Sequence, residues 1–418
     1  MIAERVALPE QVGLSTPRLR RLDAVIQTAI ERGVIAGGVT LIARRGQIAH
    51  LSAQGHMDIA EGTAMRPDSI FRLASMTKPV VSVALLMLLE EGKLLLNDPV
   101  SAFIPSFKNL QVAVPNATLP TFIASQLTAG EYHLVPAERE ITLRDLLTHT
   151  SGLGSATIGP AAAVWQALMG QLKPTNTLAD FVPRMAETPL NFQPGSVWEY
   201  SGVFGFDTLA RVIEVVSGSL IDEFFQRRIF EPLGMGDTSF SVSSDRMSRV
   251  PTVYDRTPAG LQQVTPQGVL GMSTDPNSRY RCGGGGLAGT AEDYARFAMM
   301  LASGGRGMDG ERLLARRTVA LMASNHIGHM PWDRPVSDLR GYRFGLGVRV
   351  LEDPAEATTL ASPGTFGWAG AFGTNSWIDP TEQMVGIMLI QRHPGVIDPE
   401  QRAIFPRVQT TAYQAIED

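Results

Sequence analysis

The chain has 418 residues, a formal net charge of −5 and 44% hydrophobic residues. That balance excludes a disordered or fibrous chain and allows two or three structural units. The basic residues are spread along the sequence, so we expect no nucleic-acid partner. Cys282 is the single cysteine, which excludes an intrachain disulfide and a thiolate metal site.

The start of the chain lacks the basic and apolar regions of a secretory signal. The longest nearly apolar run, residues 79–89, is too short to span a bilayer. We therefore expect a cytoplasmic protein with no membrane partner. The sequence leaves the oligomeric state open.

Hydrophobic periodicity predicts the first elements. Residues 16–33 repeat apolar side chains at helical spacing, which indicates an amphipathic helix. Residues 37–43 and 47–55 are typical of two strands joined by a tight turn.

A strongly apolar helix follows and carries the first candidate site. It ends near Gly92 and begins only a few residues before Pro79, because proline is tolerated in the first turn of a helix. This start places Ser75 at or near the helix N-terminus, one turn before Lys78.

The middle of the chain, residues 98–280, has many proline and glycine breaks. Helical spacing recurs there only in short stretches: 142–148, 177–187, 203–217 and 220–230. Long loops at 100–140 and 245–280 are expected to shape a cleft. The glycine run 283–286 predicts a tight turn. Beyond it the pattern predicts a helix at 290–303 and strands at 342–351, 365–379 and 384–391.

Strands thus lie at both ends of the chain, with helices between them. This order predicts one α/β domain built from residues 1–97 and 282–418, with a mostly helical domain, 98–281, inserted.

Ser75 and Lys78 form the first motif with chemical meaning. Residues three apart lie on the same face of a helix. A serine hydroxyl needs a base before it becomes a good nucleophile, and a neutral lysine can be that base. Burial and a helix N-terminus both disfavour the ammonium form. Without further context, the pair also fits a helix-capping serine beside a solvated lysine.

Further blocks follow Ser75–Lys78 in a fixed order. They are His149–Leu153 (HTSGL), Phe192–Ser201 (FQPGSVWEYS), Pro232–Thr238 (PLGMGDT), Gly283–Leu287 (GGGGL), Phe344–Gly347 (FGLG) and Gly367–Gly370 (GWAG). With these blocks the sequence resembles the serine β-lactamase and penicillin-binding-protein superfamily over residues 20–395. Within it, the resemblance is to class C β-lactamases and the related family VIII carboxylesterases. It implies an α+β fold, with an antiparallel sheet flanked by helices.

The resemblance also implies roles for individual residues. Ser75 would be the nucleophile, with Lys78 and Tyr200 as its proton-transfer partners. The backbone N–H groups of Ser75 and Ala371 would form the oxyanion hole. Gly370 would allow a close approach to substrate.

Two departures from the β-lactamase pattern resemble the esterase branch of the family. Gly202 stands where β-lactamases have an asparagine that donates a hydrogen bond to the substrate. Trp368 stands where they have a cationic or histidine residue, and as a neutral side chain it favours an apolar substrate. Trp368 would then form a wall of the cleft, although a tryptophan in a strand also often only packs.

We therefore predict a serine hydrolase that cleaves small-molecule carboxylic esters, with short acyl groups, through an acyl-serine intermediate. The alternatives are a β-lactamase, a D-amino-acid peptidase or an acyltransferase on the same scaffold. A non-catalytic binding protein is a further alternative, disfavoured by the presence of Ser75, Lys78 and Tyr200 together.

No cofactor or metal is expected. His326, His329 and Asp333 have a spacing that metal ligands can adopt, but the surrounding glycines and prolines indicate a loop. His149 precedes Ser151 by two residues, yet the sequence shows no complementary triad. There is no Gly-x-Ser-x-Gly nucleophile elbow.

Overall fold

Strands from both ends of the chain build the main sheet. The computed structural model describes residues 6–117, 131–154, 159–330, 339–393 and 398–418. The strands in chain order are β1 (Gly37–Arg44), β2 (Gln47–Asp58), β3 (Thr63–Ala64), β4 (Phe71–Arg72), β5 (Gln111–Pro115), β6 (Tyr132–Pro136), β7 (Val253–Thr257), β8 (Gly260–Val264), β9 (Ala288–Gly289), β10 (Tyr342–Phe344), β11 (Arg349–Leu351), β12 (Phe366–Gly367), β13 (Asn375–Asp379) and β14 (Met384–Ile390). Eight of them form an antiparallel sheet in the order β10-β11-β12-β13-β14-β1-β2-β3.

The α-helices pack around this sheet and fill much of the central part of the chain. In chain order they are α1 (Thr16–Glu31), α2 (Thr77–Glu90), α3 (Leu143–Leu147), α4 (Ala162–Met169), α5 (Leu178–Phe181), α6 (Phe204–Ser217), α7 (Ile221–Phe225), α8 (Glu231–Leu233), α9 (Val269–Met272), α10 (Ala291–Ala302), α11 (Arg316–Met322), α12 (Pro354–Ala357), α13 (Pro399–Arg402) and α14 (Ile404–Tyr413). The expected α+β class, with an antiparallel sheet and helices, is confirmed.

Strand β1 lies inside the sheet, and every one of its residues is buried. It pairs with β14 on one side and with β2 on the other. Val39 and Leu41 belong to the core that contains α10, whereas Ile42 belongs to the core that contains α1 and α14. Successive side chains of a strand point to opposite faces, so a strand covered by helices on both faces is mostly apolar and does not alternate.

Helix α2 is buried within the larger hydrophobic core. Its residues from Thr77 to Leu88 are all buried, as expected for a helix that is apolar on every side. A 3-10 turn, Ala74–Met76, precedes it directly. Ser75 therefore lies just ahead of the helix, as the position of Pro79 predicts.

Two expected strands are each divided by a turn. Residues 342–351 form the antiparallel pair β10 and β11, because the chain reverses at Gly347, whose φ is 76°. Residues 365–379 form β12 and β13, with a turn around Gly373, whose φ is 84°. Glycine reaches these positive φ values without the steric penalty of a side chain.

The two expected long loops contain strands. Residues 100–140 include β5 and β6, which pair with each other, while residues 118–130 lie outside the described residues. Residues 245–280 include the β7–β8 hairpin. The boundaries of the predicted inserted domain, 98–281, stay a prediction. Among the described residues, no helix is both long and apolar enough to cross a bilayer.

Candidate active site

The structure brings Ser75, Lys78 and Tyr200 into direct contact. The Nζ atom of Lys78 lies 3.1 Å from Oγ of Ser75, and the Tyr200 hydroxyl lies 2.7 Å from the same atom. The Lys78 side chain is completely buried. The solvated-lysine interpretation of the motif is therefore wrong, because burial and close contacts hold this lysine at the serine.

A constrained turn presents the serine. Ala74 has a φ of 48°, which is uncommon for a residue with a side chain. The Thr77 hydroxyl fixes this turn, since it donates to the Ala74 carbonyl and accepts from the Leu287 N–H. Such strain persists only where the surrounding structure enforces it, and it is concentrated at functional sites.

Two backbone carbonyls orient the Lys78 amine. Nζ donates to the carbonyl oxygens of Gly202 and Gly284, each at 2.6 Å. Besides its bond to Cε, the tetrahedral nitrogen has three directions for a hydrogen or a lone pair. The two carbonyls take two of them, so the third points at Ser75. As an ammonium, Lys78 donates a hydrogen bond there; as a neutral amine, it turns a lone pair to the serine hydroxyl. The geometry suits proton transfer in either direction.

Trp368 packs against Tyr200. It is 8% exposed and belongs to an aromatic cluster with Trp198 and Phe344. Its indole N–H lies 3.4 Å from the Tyr200 hydroxyl, at the long limit of a hydrogen bond. The indole of Trp368 therefore packs in the aromatic cluster and also contacts the hydroxyl of Tyr200.

The turn after Trp368 lies directly against the segment that precedes Ser75. A Cβ atom on Gly370 would be 2.2 Å from the Leu73 carbonyl oxygen, so only glycine permits this approach. The Thr374 hydroxyl also donates to that carbonyl. Ala371 follows as an exposed residue of the turn. The oxyanion role of the Ala371 and Ser75 amides stays a prediction.

Gly202 lines an open space. A Cβ atom built there would meet only the Tyr200 ring, at 4.0 Å. The position therefore has room for a side chain. Steric crowding does not explain why this chain has glycine where β-lactamases have asparagine. Its carbonyl, rather than a side chain, contacts Lys78.

Sequence reasoning missed a buried carboxylate behind the lysine. Asp207 accepts hydrogen bonds from the N–H of Gly284 and from the Tyr280 hydroxyl. Burial disfavours its charge and raises the pKa of the carboxyl to about 6. Burial likewise raises the pKa of the Cys282 thiol, which remains protonated at neutral pH. An aspartate within the apolar first turns of a helix was the available signal for this network.

Sequence reasoning assigned the glycine run 283–286 only a turn. In the structure the run supplies one of the two Lys78 acceptors, the Gly284 carbonyl. Its signal was the density of glycines, which marks places where backbones approach one another closely.

The weak metal candidate is not assembled among the described residues. Across 6–117, 131–154, 159–330, 339–393 and 398–418, no cluster of three or more histidine, cysteine or acidic side chains could hold an ion. The Nε2 atom of His326 instead contacts the Leu321 carbonyl. Asp333 lies outside the described residues.

Known proteins resemble this chain over most of its length. A family model described as Beta-lactamase matches residues 22–407. Esterase EstB of Burkholderia gladioli is 32% identical over 378 residues, covering 86% of each chain. Lovastatin esterase of Penicillium rubens is 30% identical over 395 residues, covering 88% of this chain and 92% of that protein. The solved structure of EstCE1, a hydrolase with promiscuous acyltransferase activity, matches with a TM-score of 0.76 and 27% identity, covering 95% of this chain and 99% of that chain.

Proposed function

Because the chain belongs to the Beta-lactamase family of serine hydrolases, we propose that it cleaves carboxylic esters with short acyl groups through an acyl-serine intermediate. The observation that carries the proposal is the position of the Ser75 Oγ atom. It lies within hydrogen-bond distance of both Lys78 Nζ and the Tyr200 hydroxyl. A nucleophile held next to its base is the arrangement that acyl transfer needs.

The proposed reaction has two stages. Ser75 attacks the ester carbonyl while its proton passes to the Lys78–Tyr200 pair. That pair then protonates the departing alcohol, leaving an acyl group on Oγ. A water molecule then attacks the acyl group and gives one proton to the same pair. The pair returns this proton to Oγ as the bond to the acyl group breaks, which releases the acid and restores the Ser75 hydroxyl. The amides of Ser75 and Ala371 would stabilise the oxyanion, and loss of one such donor typically costs about 10²–10³ in rate.

Two features support an ester over a lactam substrate. Gly202 provides no side-chain donor for an amide substrate, and the indole of Trp368 provides no cation for a carboxylate. The similarity to EstB and to lovastatin esterase points in the same direction. These features favour the carboxylesterase branch, the family VIII type, over the β-lactamases.

Hydrolysis of p-nitrophenyl esters tests the proposal. Acyl chains from two to twelve carbons are compared with a chromogenic cephalosporin, using the wild type and Ser75→Ala. We expect fast turnover of short-chain esters, lost in Ser75→Ala, with little cephalosporin turnover. Faster cephalosporin than ester turnover would refute the ester assignment. Inactivity on both, without labelling of Ser75 by a fluorophosphonate, would instead indicate a non-catalytic protein.

A further inference from the structure

His149 is a buried side chain that the proposed mechanism does not use. It lies in the loop after α3, and its imidazole contacts the ring of Tyr200. We propose that His149 is a positioning residue that holds the Tyr200 hydroxyl against Ser75. The inference rests on the proposed hydrolase function and assigns one further residue to it.

The first support is a pair of hydrogen bonds that bracket Tyr200 along the chain. The N–H of Glu199 donates to the His149 carbonyl at 3.0 Å. The N–H of Ser201 donates to Nδ1 of the His149 ring at 3.3 Å. One residue therefore binds the backbone on both sides of Tyr200, which restrains the direction in which the phenol projects.

The second support is the packing of the ring. The imidazole and phenol centroids are 4.7 Å apart in an edge-to-face arrangement. The ring centroids of Phe206 and Phe344 lie 5.3 and 5.1 Å from that of the imidazole. Because these neighbours restrain the ring, it can serve as a rigid support for the phenol.

The third support is that the arrangement has an energetic cost. Nδ1 accepts a hydrogen bond, so the neutral ring carries its proton on Nε2. That atom is buried and has no hydrogen-bond partner among the described residues. A buried polar group without a partner lowers the stability of the folded chain. A phenylalanine would fill the same space without this cost, but it could not accept the bond from Ser201.

Burial and a nearby positive charge keep the His149 ring neutral. The site is fully buried and Lys78 lies nearby, and both effects hold the pKa of His149 well below its usual range. The backbone supplies a further cost, since His149 has a φ of 58°. Asparagine tolerates that conformation, and its Oδ1 atom can replace Nδ1 as an acceptor. It is therefore the conservative replacement.

The test is a double-mutant cycle between His149 and Tyr200. The variants are His149→Phe, Tyr200→Phe and the double variant, with His149→Asn as the rescue. Two rates are measured: p-nitrophenyl ester hydrolysis, and labelling of Ser75 by a fluorophosphonate, in which Oγ displaces fluoride. Thermal unfolding confirms that each variant is folded. If His149→Phe fails to fold, His149→Gln replaces it, because its longer side chain moves the polar group away from the position of Nδ1.

We expect His149→Phe to lower kcat and the labelling rate about 10–100-fold, with KM little changed. His149→Asn should restore most of the rate. Loss of the Tyr200 hydroxyl should cost about 10²–10⁴, and the double variant should lie within about threefold of Tyr200→Phe alone. A purely structural role would instead make the two losses multiply.

The inference would be overturned if the rate losses of the two single variants multiplied in the double variant. It would also be overturned if His149→Asn were as slow as His149→Phe. The labelling rate separates this result from the ester assignment. A wild type that labels at Ser75 but cleaves no ester would refute ester specificity while the cycle still tests His149. A wild type that neither labels nor cleaves esters would refute both proposals.

Discussion

At the scale of single residues, Lys78 is held at Ser75 by two backbone carbonyls as well as by its contact with the serine. Ser75 and Lys78 are one helical turn apart, and their residue types indicate a nucleophile and a base. The carbonyl oxygens of Gly202 and Gly284 also accept hydrogen bonds from the Lys78 amine. A backbone acceptor leaves no side-chain signal in a sequence, so only the folded chain reveals it.

The buried lysine leads to the first prediction. Lys78→Ala removes the proton acceptor at Ser75 and leaves the two carbonyls that bind Nζ without their donor. We expect ester hydrolysis and fluorophosphonate labelling to fall by about 10³ or more. Lys93→Ala is the control, because Lys93 is a largely exposed lysine paired with Glu91. A Lys78→Ala rate near that of the wild type would refute the proton-transfer role.

The second prediction concerns the open position at Gly202. Gly202→Asn should fit without displacing the backbone, because a Cβ atom there meets only the Tyr200 ring at 4.0 Å. The new amide can donate to a substrate, so we expect the ratio of cephalosporin to ester turnover to rise about tenfold. Gly202→Ala controls for bulk alone and should leave the ratio unchanged. An unchanged ratio in the asparagine variant would contradict the argument from Gly202.

At the scale of elements, periodicity predicts long helices and buried strands well but does not detect turns within apolar stretches. Helix α2 and strand β1 are apolar over most of their length, and both formed as expected. Residues 342–351 look like one strand because Phe344, Leu346 and Val348 alternate, yet they form β10, a turn and β11. The turn depends on the positive φ of Gly347, which an alternating pattern does not specify.

The glycine run supplies the third prediction, with a matched control in the neighbouring residue. A Cβ atom on Gly284 would lie 2.7 Å from Cα of Val203 and 3.0 Å from the Gly202 carbonyl oxygen, so backbone must shift. Gly284→Ala should therefore disturb both Lys78 acceptors and lower ester hydrolysis at least tenfold. A Cβ atom on Gly285 meets its nearest atom at 3.5 Å, so Gly285→Ala should have little effect. Equal activities would refute the argument from close approach.

At the scale of the whole molecule, the pH dependence of stability should reveal the buried Asp207. Its pKa is about 6 in the folded chain, against a usual value of 3.8. Between these values the folded chain retains a proton that the unfolded chain has lost. The free energy of unfolding that this group contributes therefore increases as the pH falls through about 6.

Asp207→Asn removes this proton uptake. We expect the wild type to gain about 2 kcal/mol of stability relative to the variant between about pH 7.5 and 4.5, measured by urea unfolding. Asp293 also has a pKa of about 6, but it titrates in both proteins. Its contribution therefore cancels from the difference in stability between them. Asp309→Asn, at an exposed position, should show no such divergence from the wild type. Parallel pH profiles for Asp207→Asn and the wild type would contradict the prediction.

The pairing of β1 with β14 has a consequence for synthesis of the chain. Arg44 of β1 pairs with Met384 of β14, a partner about 340 residues later. At about 5–20 residues per second, a ribosome needs roughly 20–70 s to deliver that partner. Throughout this interval the edge of β1 that later pairs with β14 has no partner strand, and it can bind other nascent chains. Nascent chains arrested before residue 384 should therefore aggregate or recruit a chaperone, whereas full-length chains should be released from it.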